Sequence, residues 1–167
     1  MKKNVIFMLV AFVTLNLSAR TPAGGSDPVA AVFAKAPTGE KVPALIEAKF
    51  KKQYGPVIAV SWKVIGDISI ATFNELGVEK HVYYYNDGET FGFGKLIDKD
   101  VLPKAVRESF TERFSKGVLQ AVYEFKTVDS PTRYYVRVIA PNYFAIASAT
   151  EFGDVTIYQK ERIKRSH

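Results

Sequence analysis

Two histidines, His81 and His167, and no cysteine are a thin inventory for reactive chemistry in a chain of 167 residues. The composition excludes thiolate zinc sites, disulfides and any Cys nucleophile. His81 stands between Lys80 and Tyr83 with no second His at ligand spacing, and the other histidine is the last residue. Carboxylates are more plentiful, at Glu47, Glu89, Glu108, Glu112 and Glu124. No pair of them has the spacing or the apolar flanks that would raise one pKa for acid/base work. Ser109 has no base near it in sequence. Asp98 and Asp100 could hold a cation, but capping of a helix accounts for them, with Asp100 at the N-cap. Gly92-Phe93-Gly94 is too short for a phosphate loop and opens no helix. The expectation is a protein with no catalytic residues, no metal site and no cofactor.

Contact chemistry is better supplied, with 12 Phe, 9 Tyr and 1 Trp. An apolar share of 47% and a charged share of 24% are globular values, for one compact domain or two fused halves. At the start, Lys2 and Lys3 precede an uncharged run from Val5 to Leu15, followed by Leu17-Ser18-Ala19. A basic start, a short apolar centre and a small-residue cleavage point read as a secretory signal over 1–19. The centre is too short to span a bilayer, so no stable membrane insertion is expected once the signal is removed. Its removal leaves 21 basic against 17 acidic residues, a net charge of +4. Arg162, Lys164 and Arg165 crowd a basic tail over 162–167, which reads as a solvated end rather than a nucleic-acid arm. Residues 20–41 hold Pro22, Gly24, Gly25, Pro28, Pro37 and Gly39 and read as a flexible linker. Within it, Val29 to Phe33 is apolar enough to add a short strand or to dock on the surface.

From Val42 the chain repeats itself. Val42-Pro43 followed by Phe50 and Tyr54 returns 60 residues later as Leu102-Pro103 followed by Phe110 and Phe114. Each set has helical spacing: Leu45, Ile46, Phe50 and Tyr54 in the first, Leu102, Ala105, Val106, Phe110 and Phe114 in the second. Strand patterns follow, at about 57–65, 67–74, 78–86 and 89–97, then 118–127, 132–140, 142–150 and 154–161. Asn86-Asp87-Gly88, Ser130-Pro131, Ala140-Pro141-Asn142 and Phe152-Gly153-Asp154 supply turns. The joints are short, so consecutive strands should pair. The fold class is α+β, a helix followed by four strands, twice, with repeat one over 42–98 and repeat two over 100–161.

The proline-led helix starts with their later aromatics, the strand tryptophan of Val60-Ser61-Trp62-Lys63 and the hairpin Tyr85-Asn86-Asp87-Gly88 carry a likeness. Over 42–161 the chain resembles the β-lactamase-inhibitor-like, PepSY-like family of secreted Bacteroidetes-type proteins. The resemblance implies tandem repeats forming a curved antiparallel sheet with helices on one face and the other face free to grip a protein. It also implies an inhibitor or regulator of an envelope enzyme such as a peptidase.

Strand alternation then divides the faces. Val60, Trp62 and Val64 should meet the helices, as should Ala121, Tyr123 and Phe125, Val82 and Tyr84, and Tyr134, Val136 and Val138. The open face should hold Lys63, His81, Tyr83, Tyr85, Glu124, Lys126, Tyr135 and Arg137. Tyr and Arg are enriched at binding hot spots, and the lysines and Arg137 would pair with acidic groups of a partner. The expected partner is another envelope or secreted protein, in the periplasm or outside the cell. The other reading is a periplasmic small-molecule or peptide-binding protein with its pocket between the two repeats.

Overall fold

The computed structural model describes residues 27, 29–30, 41–55, 59–127 and 130–163. The expected signal over 1–19, most of the 20–41 linker and the end of the basic tail lie outside the described residues. Helix α1 (Ala44–Tyr54) is followed by β1 (Val60–Ile65), β2 (Ile68–Glu75), β3 (Val78–Tyr85) and β4 (Thr90–Ile97). A single 3-10 turn at Lys99–Val101 leads into α2 (Lys104–Arg113), then β5 (Val118–Thr127), β6 (Arg133–Ala140), β7 (Tyr143–Thr150) and β8 (Val155–Arg162). The eight strands form one open antiparallel sheet in chain order.

The helices form on a four-residue rhythm of buried positions. Val42, Ile46 and Phe50 are buried along the first, and Leu102, Val106, Phe110 and Phe114 along the second. Leu45 and Ala105, expected on those stripes, are exposed. Neither helix has a side-chain cap; Pro43 and Pro103 occupy the N-cap positions. The Asp100 cap is therefore corrected: Asp98 caps instead, its carboxylate accepting the Asp100 N–H at 2.9 Å, and what it caps is the 3-10 turn.

One continuous row of paired residues, Val60–Phe73–Lys80–Lys95–Glu124–Tyr134–Ala149, runs across the sheet. Phe73 packs with the α1 residues, and Tyr134 and Ala149 pack with the α2 residues, so both helices cover the same face. Trp62, Val64, Val82 and Tyr84 lie on that face as expected. Tyr123 and Phe125 do not. In β5 it is Val122 that joins the α2 core, while Tyr123 and Phe125 join a third cluster on the opposite face. Gln120 is an extra residue, passed over between Leu119 and Ala121 in the pairing with β6, so Leu119 and Val122 both face α2. Glu124 and Lys126 accordingly belong to the helix face rather than the open one.

Candidate functional site

The sheet face away from the helices carries an aromatic cluster built from both halves of the chain. Tyr83, Tyr123, Phe125 and Tyr135 are buried in it, with Tyr85, Phe91 and Tyr158 at its margins. Tyr83 meets Phe125 edge-on with ring centres 5.0 Å apart, Phe91 meets Tyr85 at 5.3 Å, and Tyr135 stacks on Tyr158 at 6.0 Å. Two further bulges serve this face. Phe91 is the extra residue opposite Tyr83/Tyr84, and Tyr158 the extra residue opposite Ile146/Ala147. A bulge re-aims a side chain without ending the ladder.

Gly92 and Gly94 explain how the rings fit. A Cβ on Gly94 would lie 2.0 Å from the Tyr123 hydroxyl, and one on Gly92 would lie 2.6 Å from the Phe125 ring. The two rings therefore lie across the bare backbone of β4. This is the structural meaning of Gly92-Phe93-Gly94.

The face is not open. Val29 is 0% exposed and Ala30 is buried, both among Ile68, Ile70, Tyr83, Tyr123, Phe125, Tyr135 and Ile146. The two residues are helical, and Asp27 caps them, with Oδ1 accepting the N–H groups of Val29 at 2.9 Å and Ala30 at 3.2 Å. Its other oxygen, Oδ2, accepts the Tyr135 hydroxyl at 2.7 Å and the Tyr158 hydroxyl at 2.8 Å. Docking of this stretch was one of the two expectations for Val29 to Phe33; the helical turn replaces the strand, and residues 31–33 lie outside the described residues. Burial raises the pKa of Tyr135 and Tyr158, and the Asp27 charge raises both further. Both phenols are thus held as donors to the carboxylate.

The residues expected on the open face separate into three groups. Tyr83, Tyr135 and His81 are on the predicted face but buried, at 0%, 2% and 7% exposure, so they are not available as free contacts. Tyr83 shares a hydrogen bond with Tyr123, oxygen to oxygen at 3.1 Å. His81 Nε2 is 3.0 Å from Glu79 Oε1, and burial outweighs that carboxylate in lowering the imidazole pKa. Lys63, Tyr85 and Arg137 are half-buried on the same face, and burial lowers the Lys63 pKa. Lys126 lies on the helix face, 3.6 Å from Glu124, which also pairs with Lys95 at 3.4 Å. Burial on both faces is what hid this from alternation: β5 is apolar at Val122 as well as at Tyr123 and Phe125, so hydrophobicity did not mark an outside.

Asp27 and Tyr158 were missed as site residues. Asp27-Pro28 ahead of an apolar run is a helix-start signature that would have marked the turn. The side-chain pattern held no signal that the turn lands on Tyr135 and Tyr158.

On the helix side, over β3, β4 and β5 beside the end of α1, lies a concavity of about 220 Å³. Phe93 forms part of its floor, with Lys80, Lys95, Lys126 and Glu124 around it and Tyr54 on the α1 side. Lys80 is paired with Glu75. Among the described residues, no group of three or more His, Asp or Glu side chains is placed to hold a metal ion.

No protein-family model matches the sequence, and no curated protein matches it. Solved structures do. A protein from Bacteroides eggerthii described as periplasmic is 22% identical with a TM-score of 0.62, over 74% of this chain and 91% of that one. A DUF2874 family protein from Bacteroides uniformis is 21% identical with a TM-score of 0.61, over 73% and 90%. A BLIP-like protein from Bacteroides fragilis is 21% identical with a TM-score of 0.55, over 77% and 92%. The family resemblance read from the helix starts, Trp62 and the Asp87-Gly88 hairpin is thus met at the level of architecture: this chain shares its fold with BLIP-like and DUF2874 proteins of Bacteroides.

Proposed function

We propose that the chain is an exported, non-catalytic protein-binding module, acting as an inhibitor or regulator of an envelope enzyme through the aromatic face of its sheet. The observation that carries this reading is the seating of Asp27, Val29 and Ala30: the face already holds a peptide segment by two phenol–carboxylate bonds and apolar burial. Lys63 and Arg137 lie on the same face and complement an acidic partner. Export is supported by the N-terminal sequence pattern and by a fold neighbour described as periplasmic. The BLIP-like neighbour supports a binding rather than a catalytic role. Duplication of one helix-plus-four-strand unit is supported by the element order and by Val42/Leu102, Ile46/Val106, Phe50/Phe110 and Tyr54/Phe114, each pair 60 residues apart and each packed on the same sheet face.

The test is affinity capture from native envelope extract with the Asp27→Ala chain, whose own segment no longer occupies those two hydroxyls, and with the same chain carrying Tyr135→Phe and Tyr158→Phe. The rings stay, so the fold should persist; the two donors are lost, and capture should fall about tenfold or more. Capture that is unchanged overturns the proposed face. The lysine-lined concavity over β3–β5 favours a second reading, a pocket for a small anionic ligand. Its volume lies below the several hundred Å³ usual for such sites, which ranks it second. Native mass spectrometry of protein recovered from its host, with Phe93→Ser as the control, would find the ligand if this reading held.

A further inference from the structure

The carboxylate of Asp27 does two jobs with two oxygens. Oδ1 holds the helical turn together and Oδ2 joins that turn to the sheet. A fully buried Val29 follows, between side chains from both halves of the sheet. This is the contact pattern of a receptor with its peptide, an acidic anchor plus a small apolar plug, except that receptor and peptide are one chain.

We propose that the aromatic face is a receptor for an aspartate-capped helical turn bearing small apolar residues. Asp27, Val29 and Ala30 fill that receptor in cis, and an exported protein partner presenting the same chemistry binds by displacing them. The inference rests on the protein-binding reading above and adds the partner's motif and a gate. A tethered occupant acts at an effective concentration near the millimolar range, so a competitor meets a site that is only fractionally free. Its apparent affinity falls by that fraction, and weakening the tethered segment restores it. Tyr135 and Tyr158 belong to the receptor, and Asp27 belongs to the occupant, so the two can be altered separately.

The probe is a labelled synthetic peptide with the sequence of residues 24–33, titrated against the full chain by fluorescence anisotropy. The Asp27→Ala chain should bind it about tenfold or more tightly than the unaltered chain does. A peptide carrying Ala in place of its Asp should lose about as much, and so should adding Tyr135→Phe and Tyr158→Phe to the Asp27→Ala chain. Equal affinity of the peptide for the unaltered and Asp27→Ala chains overturns the gate. So does absence of binding to an Asp27→Ala chain that still melts cooperatively. Asp27→Asn, which keeps the side-chain shape, replaces it if the alanine variant fails to fold. Envelope capture separates this proposal from the reading beneath it. A partner captured equally by both chains, with no peptide binding, overturns the gate and leaves the module. Peptide binding as expected with nothing captured supports the gate and counts against the module.

Discussion

Leu76 is the most exposed large apolar side chain described, at 98%, and the only described non-glycine residue with a positive φ, 52°. It shares the β2–β3 turn with Gly77 at φ 81°, and Glu75 pairs directly with Val78, so the loop has two residues and both are left-handed. That geometry matches strand twist and favours Asn or Gly at the first position; a leucine there costs about 1 kcal/mol. Asn74 partly offsets the cost by accepting the Gly77 N–H at 2.9 Å. Leu76→Asn should stabilise the protein by about 1 kcal/mol and raise Tm by roughly 3–5 °C in a thermal melt. A lower Tm would show that the leucine side chain has a contact of its own. The turn was legible from the gap between two β patterns, whereas its strain was not, because Leu-Gly carries no turn signature of its own.

Within the sheet, each strand has a local reason for its position, and β4 is the most informative. Its two glycines make the floor on which Tyr123 and Phe125 lie, and its extra residue Phe91 closes the side of the same cluster. Gly94→Ala must therefore push Tyr123 off its site and with it the hydrogen bond to Tyr83. Overpacking of this kind costs about 1–3 kcal/mol, to be read as a lower midpoint in urea unfolding. An unchanged midpoint would mean that β4 can shift without disturbing the rings. The eight strand positions were readable from alternation and turn residues to within about three residues at each end. The bulges were not, since Gln120 and Phe91 differ in no intrinsic way from residues in regular pairing.

Over the whole molecule, the helix face is divided into two cores with no buried residue in common, one under α1 and one under α2. Phe50, under α1, and Phe110, under α2, are each about 1% exposed. Replacement of either with Ala should cost about 3–5 kcal/mol. With no shared partners, the double variant should lose the sum to within about 0.5 kcal/mol. A double variant losing much less than the sum would show that the two cores fold as one. Trp62 contributes less than its size suggests: it is half-buried, edge-on to Phe50 at 5.4 Å. The third core, on the opposite face, draws on β2 through β8 and joins the two halves. For that reason, replacing Tyr83 and Tyr135 with Ala would open cavities rather than isolate a binding surface.

Spacing alone determined the helix-and-four-strand order and the helix-facing rows of β1, β3 and β6, because these follow from periodicities of two and four residues along the chain. Tertiary structure alone decided the side on which Tyr123, Phe125 and Lys126 fall, the depth at which Tyr83 and Tyr135 lie, and the pairing of Asp27 with tyrosines more than 100 residues away. A strand buried on both faces has no polar side to orient it. A carboxylate in a proline- and glycine-rich stretch carries no local mark of the distant hydroxyls that will receive it.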